Sequence, residues 1–136
     1  MTGMERTDAE RGITPLMRAA EFGDVAVVEQ MVHDSADVNA KDENGWTALM
    51  YSAKESDNYD LYEMVGCLVN QGGADINAVN DDGETALFVA ARHMNFVFAE
   101  AARAWGADAG IKNKAGLTVR EFAAKRAELF GKLAEY

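Results

Sequence analysis

Four segments of this chain carry the same markers in phase, and that repetition constrains its fold more than any other feature. They align on a glycine: Gly12-Ile-Thr-Pro-Leu-Met, Gly45-Trp-Thr-Ala-Leu-Met, Gly83-Glu-Thr-Ala-Leu-Phe and Gly116-Leu-Thr-Val-Arg-Glu. The glycines stand 33, 38 and 33 residues apart. A second marker follows each of the first three: Ala36-Asp37-Val38-Asn39-Ala40, Ala74-Asp75-Ile76-Asn77-Ala78 and Ala107-Asp108-Ala109-Gly110-Ile111. A period of this length belongs to a chain built from one supersecondary unit. Such a unit cannot bury its apolar face alone and is stable only when neighbours stack into a continuous core.

Each unit reads as turn, helix, turn, helix. Thr14, Thr47, Thr85 and Thr118 stand where helices begin, and a hydroxyl there can accept from the free amides of the first turn. Pro15 occupies a first helical position, where its missing N–H does no harm. Thr118 and Glu121 have the spacing of a capping box. The first helices run through small residues (Ala19-Ala20, Ser52-Ala53, Ala90-Ala91, Ala123-Ala124), which let neighbouring helices approach closely. Gly23 is placed to stop the first of them in a left-handed conformation. The second helices carry apolar stripes at helical spacing: Val27, Val28, Met31 and Val32, then Met64, Val65, Leu68 and Val69. Residues 39–45 and 77–83 are rich in turn formers, as projecting hairpins require, with little regular sheet beyond them. The coarse class is all-α.

These motifs resemble the ankyrin repeat, whose pattern is Gly-x-Thr-Pro-Leu-His-x-Ala-Ala, then a glycine, a Val/Leu-rich helix, and Gly-Ala-Asp-Val-Asn-Ala. The resemblance covers roughly residues 8 to 124. It implies an ankyrin-repeat solenoid of stacked helix-turn-helix pairs with protruding hairpin-like loops. On this reading residues 1–136 are one domain, with repeats at approximately 8–41, 42–79, 80–112 and 113–136.

Departures from the pattern carry their own expectations. The repeat histidine is replaced by Met17, Met50, Phe88 and Glu121, exchanging a polar network for apolar packing at the first three. The second repeat is longer by five residues, four near residues 56–59 and the fifth within Gln71-Gly72-Gly73. Met94-Asn95 replaces the mid-repeat glycine of the third repeat, and Arg103 stands in place of a core leucine, so that junction is expected to be looser. The last repeat, with Arg120 in place of a leucine and no following hairpin, looks like a degenerate C-terminal cap. Arg18 and Glu21 suit the polar first helix of an N-terminal cap.

The net charge of −10 disfavours sequence-independent nucleic-acid binding, because phosphates repel such a surface. That charge is uneven: residues 1–111 balance at −13 and residues 112–136 at +3. The basic end reads as a solvated helix face, with an electrostatic contact site as the sharper alternative. No apolar run of about 18 residues is present, so no membrane span is expected. The start of the chain lacks the basic and apolar stretches of a secretory signal. The single cysteine, Cys67, lies among apolar residues and is expected to be a buried, inert thiol. It fits a reducing, cytoplasmic setting. No metal, cofactor or catalytic constellation stands out: His33 and His93 are far apart, and no metal-ligand or phosphate-loop spacing occurs. The hairpin carboxylates Asp42, Glu43, Asp81, Asp82 and Glu84 are read as solvated charges.

The resemblance implies recognition of another protein through the hairpin tips and the concave face of the first helices. The positions it leaves variable are Phe22, Lys41, Glu43, Trp46, Lys54, Glu55, Asp82, Glu84, Arg92 and His93. Two readings of Trp46 stand side by side: an interface hot spot, or a ring packed on the neighbouring hairpin. Phe22, beside Gly23, is expected to pack internally, with recognition as the alternative. Trp105 is expected to pack on the outer surface. The inserted segment Asp57-Asn58-Tyr59-Asp60-Leu61-Tyr62 reads as a loop and a harmless lengthening, with a private contact anchored by Tyr59 and Tyr62 as the alternative. The expected function is a monomeric adaptor or scaffold that favours a basic protein partner. A stoichiometric inhibitor of a partner enzyme and an architectural segment of a larger ankyrin protein are the alternatives.

Overall fold

In a computed structural model, the structure describes residues 6–54 and 60–134, with side chains to residue 128. Among the described residues seven α-helices follow in order: α1 (Pro15–Phe22), α2 (Val25–His33), α3 (Ala48–Ser52), α4 (Leu61–Gly66), α5 (Ala86–Arg92), α6 (Phe96–Ala104) and α7 (Val119–Ala134). Helix α4 runs on as a π-helical stretch, Cys67–Gln71. No strand occurs among the described residues. The helices form two rows. In the inner row α1 packs on α3, α3 on α5 and α5 on α7; in the outer row α2 packs against α4 and its π-helical end, and α4 against α6.

The core lies between the rows. Leu16, Ala20, Leu49, Ala53, Leu87 and Ala90 of the inner helices are buried with Val28, Leu61, Met64, Val65, Leu68 and Phe98 of the outer ones. Met17, Met50 and Phe88, which stand at the histidine position, are each about 1% exposed, so apolar packing does replace a polar network there. The stripe of α2 is less deeply placed than expected. Only Val28 is buried, whereas Val27 is exposed and Met31 and Val32 are half-buried. The reason is position: among the described residues α2 has an outer-row neighbour on one side only.

Helix starts divide into two kinds. The Thr14 hydroxyl accepts from Met17 N at 3.2 Å, and Thr14 N donates to the Met17 sulfur at 3.4 Å. Thr118 and Glu121 form their capping box, with Thr118 N donating to Glu121 Oε1 at 3.1 Å and Glu121 N to the Thr118 hydroxyl at 3.3 Å. Thr47 and Thr85 hold the extended N-cap backbone, but neither hydroxyl makes the expected capping bond. Both side chains are buried between stacked repeats.

The turn between paired helices needs a left-handed residue. Gly23 supplies it after α1 with φ 77°. Met94, eleven residues after Gly83 as Gly23 is after Gly12, adopts φ 55° without glycine's freedom. Asn95 then caps α6, accepting from Phe98 N at 3.0 Å, and its Nδ2 donates to Ala53 O of the preceding repeat at 3.0 Å. In the last repeat Ala127 stands at the same offset. There the first helix does not turn but continues as α7 for 16 residues. The turn–helix–turn–helix reading therefore fails over the described residues of the last repeat, where one helix spans both helix positions. The extra residue of the second repeat is absorbed in the π-helical stretch, where Gly72 N donates to Cys67 O at 2.9 Å; a one-residue insertion widens a helix in this way. The other four inserted positions, and Glu55 and Tyr59, lie outside the described residues.

Fingers project between helix pairs and lock onto one another by backbone. Within each finger Asp42 N donates to Trp46 O, Asn80 N to Glu84 O and Asn113 N to Leu117 O. Across fingers Glu43 N donates to Arg11 O, Asp81 N to Asn44 O and Lys114 N to Asp82 O, at 2.8–3.0 Å. Gly45 makes this approach possible: with φ 79°, a Cβ there would lie 2.9 Å from Asp81 N and 3.0 Å from Asn80 Cα. Gly73 has a similar φ of 73° with nothing within 4 Å. Gly73→Ala should therefore lose only the left-handed penalty, about 1 kcal/mol. Gly45→Ala adds a backbone collision and should lose about 3 kcal/mol or more. Urea unfolding of the two variants measures this; equal losses would mean the fingers do not press on each other.

Candidate functional site: the fingers and the helix ends behind them

The base of each finger is organised by one side chain. Asp42 Oδ1 accepts from Asn44 N and Trp46 N, both at 2.9 Å. Asn80 Oδ1 accepts from Asp82 N and Glu84 N, and Asn113 Oδ1 from Leu117 N. Asp42 is not a solvated charge: it is 8% exposed, and Tyr51 Oη donates to its second oxygen at 2.5 Å. Burial, then that bond to a carboxylate, pushes the Tyr51 phenol well above its ordinary value. Trp46 is half-buried, and its ring centroid lies 5.3 Å from that of Tyr51, on the helix α3 that follows its own finger rather than on the neighbouring hairpin.

Glu84 is likewise buried, at 4% exposure, with both its oxygens 2.9 Å from Arg92 Nη2. Arg92 also lies over the Phe122 ring at 5.4 Å, tying finger, α5 and α7 together. At the other end of the row, Arg18 bonds Asp8 and Glu21 at 2.8 Å, and Lys54 bonds Glu21 at 2.9 Å. Burial pushes the Glu21 carboxyl up, but the bonds from Lys54 and Arg18 outweigh it and hold the group below its ordinary value. Arg18, Glu21 and Lys54, together with Arg11, Asp42, Glu43 and Tyr51, line a polar recess of about 220 Å³. Arg11 Nε is buried there without a hydrogen-bond partner.

The recess brings together Glu43 and Lys54 among the positions chosen from sequence. Glu43 is exposed and paired with Arg6 at 2.6 Å. Lys41 is exposed and reaches across to Val79 O at 2.9 Å. Asp82 is exposed at the tip of its finger, and His93 at the end of α5. Phe22 does not pack internally: at the helix end it is 82% exposed, because Gly23 turns the chain away immediately after it. Trp105 lies on the outer row, 3.4 Å from where a Cβ on Gly66 would stand. Tyr62 lies in helix α4 rather than in a loop, and its Oη donates to Glu100 of α6 at 3.0 Å.

Sequence reasoning missed two roles. Asn39 accepts from Asp75 N at 2.8 Å and donates to Gly73 O at 3.2 Å, and Asn77 accepts from Asp108 N at 2.7 Å. These asparagines staple each repeat to the next, and their recurrence in the second marker was the available signal. Tyr51 as the partner of buried Asp42 had no such signal. Cys67 is buried, which pushes its thiol up and makes the reactive thiolate scarce. Among the described residues no group of His, Cys, Asp and Glu could hold a metal ion, and no helix is long and apolar enough to cross a membrane.

A profile of ankyrin repeats (three copies) matches residues 2–65 and 16–113. The chain belongs to the ankyrin-repeat family. Ankyrin repeats are generally protein–protein interaction modules, and the family is typically non-enzymatic. The chain is also similar, with 42% identity over 62 residues, to Ankyrin repeat and SAM domain-containing protein 6 of Rattus norvegicus. That match covers 45% of this chain and only 7% of the length of the rat protein.

The Glu21 cluster makes a pH prediction. Folding lowers its pKa, so the stabilisation is complete above the ordinary carboxylate value of 4.5 and is lost as pH falls through the folded value. Because Lys54 and Arg18 are about one-third exposed, Glu21→Gln should cost about 1 kcal/mol at neutral pH. The gap from wild type should close below the ordinary value; thermal melts across the acid range that keep it open would contradict the assignment.

Proposed function

We propose that this chain is a recognition module, an adaptor or scaffold, that binds a basic surface of a partner protein through its finger tips and the adjoining helix ends. One observation carries the reading: Asp81 and Asp82 are exposed on a finger whose backbone is bonded to both neighbouring fingers. Such a surface needs little ordering on binding. Its negative charge favours and speeds encounter with a positive partner. Phe22 adds an exposed aromatic side chain at the helix end. Lys41, Glu43, Lys54 and His93 complete the proposed surface, whereas Trp46, Glu84 and Arg92 hold its shape. On this proposal the module acts as a monomer in the cytoplasm. Likeness to one stretch of a far longer protein supports a second reading, an architectural segment.

Affinity capture from a lysate of the source cell, with wild type beside Phe22→Ala and Asp82→Lys, tests the proposal. Both substitutions lie on exposed side chains and should leave the circular dichroism spectrum unchanged. The expected result is a partner retained by wild type, weakened about tenfold by Asp82→Lys and weakened further by salt. A partner held equally by all three proteins and indifferent to salt would place recognition elsewhere.

A further inference from the structure

The inner row continues one helix further than the outer row. Helix α7 covers α5, as α5 covers α3 and α3 covers α1, but α6 has no following outer-row helix among the described residues. The result is a groove of about 480 Å³ between α5–α6 and α7. Met94, Phe96 and Ala99 line it from the side of α6, and Ala123 and Ala127 from α7. Met94 and Phe96 are 59% and 69% exposed, large apolar side chains left facing solvent at one place.

The charge on this groove is opposite to that of the chain. Arg103, Arg120 and Arg126 line it and no carboxylate does, although acidic residues outnumber basic ones 23 to 13 in the whole sequence. Arg103 and Arg120 are exposed. Arg126 is anchored, donating to Arg92 O at 3.1 Å with its guanidinium 5.9 Å from the Phe122 ring.

The stack itself shows what shape fits. Where the outer row is complete, α4 and its π-helical end present Leu61, Met64, Val65 and Leu68, all buried, at i, i+3, i+4 and i+7. An occupant of the open place beside α6 meets the same inter-repeat geometry and satisfies it with the same spacing. We propose that this groove docks an amphipathic helix of a partner protein, apolar on the face it buries and acidic along its flanks. This surface is separate from the fingers and selects the opposite charge, so both can be occupied at once.

The probe is a fluorescent synthetic peptide of about 18 residues, long enough to form helix on binding, with leucines at the α4 spacing and glutamates flanking them. A control peptide carries lysines in place of the glutamates. Fluorescence anisotropy should show the glutamate peptide binding at least about tenfold more tightly than the control. Ala123→Trp, which fills the groove from an exposed position, should remove binding. The pair Arg103→Glu and Arg120→Glu, at exposed positions that leave packing intact, should reverse the preference. Asp82→Lys should leave the peptide's affinity unchanged, which separates this proposal from the finger surface. Equal affinity for the two peptides, or binding that survives both sets of substitutions, overturns it. A concentration-dependent dimer that Ala123→Trp disperses would make the occupant a second copy and equally overturn it.

Discussion

Neighbouring repeats in this chain approach until backbone meets backbone, and the rest of the structure depends on that closeness. Small residues permit it along the inner row, where Ala20, Ser52, Ala53 and Ala90 are buried. Gly45 permits it at the fingers, where no Cβ fits beside Asn80 and Asp81. Once the spacing is set, fingers fall into register and exchange backbone hydrogen bonds. The polar atoms at each junction then find partners in the next repeat, as Asn95 does with Ala53 O and Asn39 with Asp75 N. An unmet buried group would cost about 1–3 kcal/mol, so the bonds across junctions penalise any slip between repeats as well as any separation.

The same rule bears on the last described repeat. Asn39 and Asn77 bridge to the following repeat, whereas Gly110 stands at the corresponding place in the third and has no side chain to offer. Ala127, without the turning glycine of the first repeat, lets α7 run on along the inner row alone. Arg103, at a position where the repeat pattern has a core leucine, is exposed, and among the described residues no outer-row helix follows α6 to cover it. Its sequence departure and its structural surroundings thus have one cause.

Much of the fold was legible because it is periodic. The glycine and threonine markers located every described helix of the inner row, and the apolar stripes located α2 and α4 of the outer one, but not the alanine-rich α6. What was not legible depends on neighbours that periodicity does not name. Val27 belongs to an apolar stripe, yet stands exposed at the end of a row. Glu84 sits in a run of hairpin carboxylates, yet is buried because Arg92 arrives from the following helix. Thr47 has a capping residue's sequence and backbone, but its hydroxyl is not used so. The candidate site shows the same divide. Exposed tips such as Asp82 follow from the pattern, while the fixing of Asp42 by Tyr51 requires a contact between a finger and the helix behind it.

Cooperativity between repeats is the central physical claim, and native-state hydrogen exchange in rising urea measures it most directly. If each helix pair is held by its neighbours, the slow amides of α1, α3 and α5 will converge on one opening free energy, while α7, which packs on α5 but, among the described residues, on no outer-row partner, opens earlier. Amides of α1 and α2 that stay protected after those of α5 and α6 have exchanged would contradict it, showing that a helix pair of this chain holds itself.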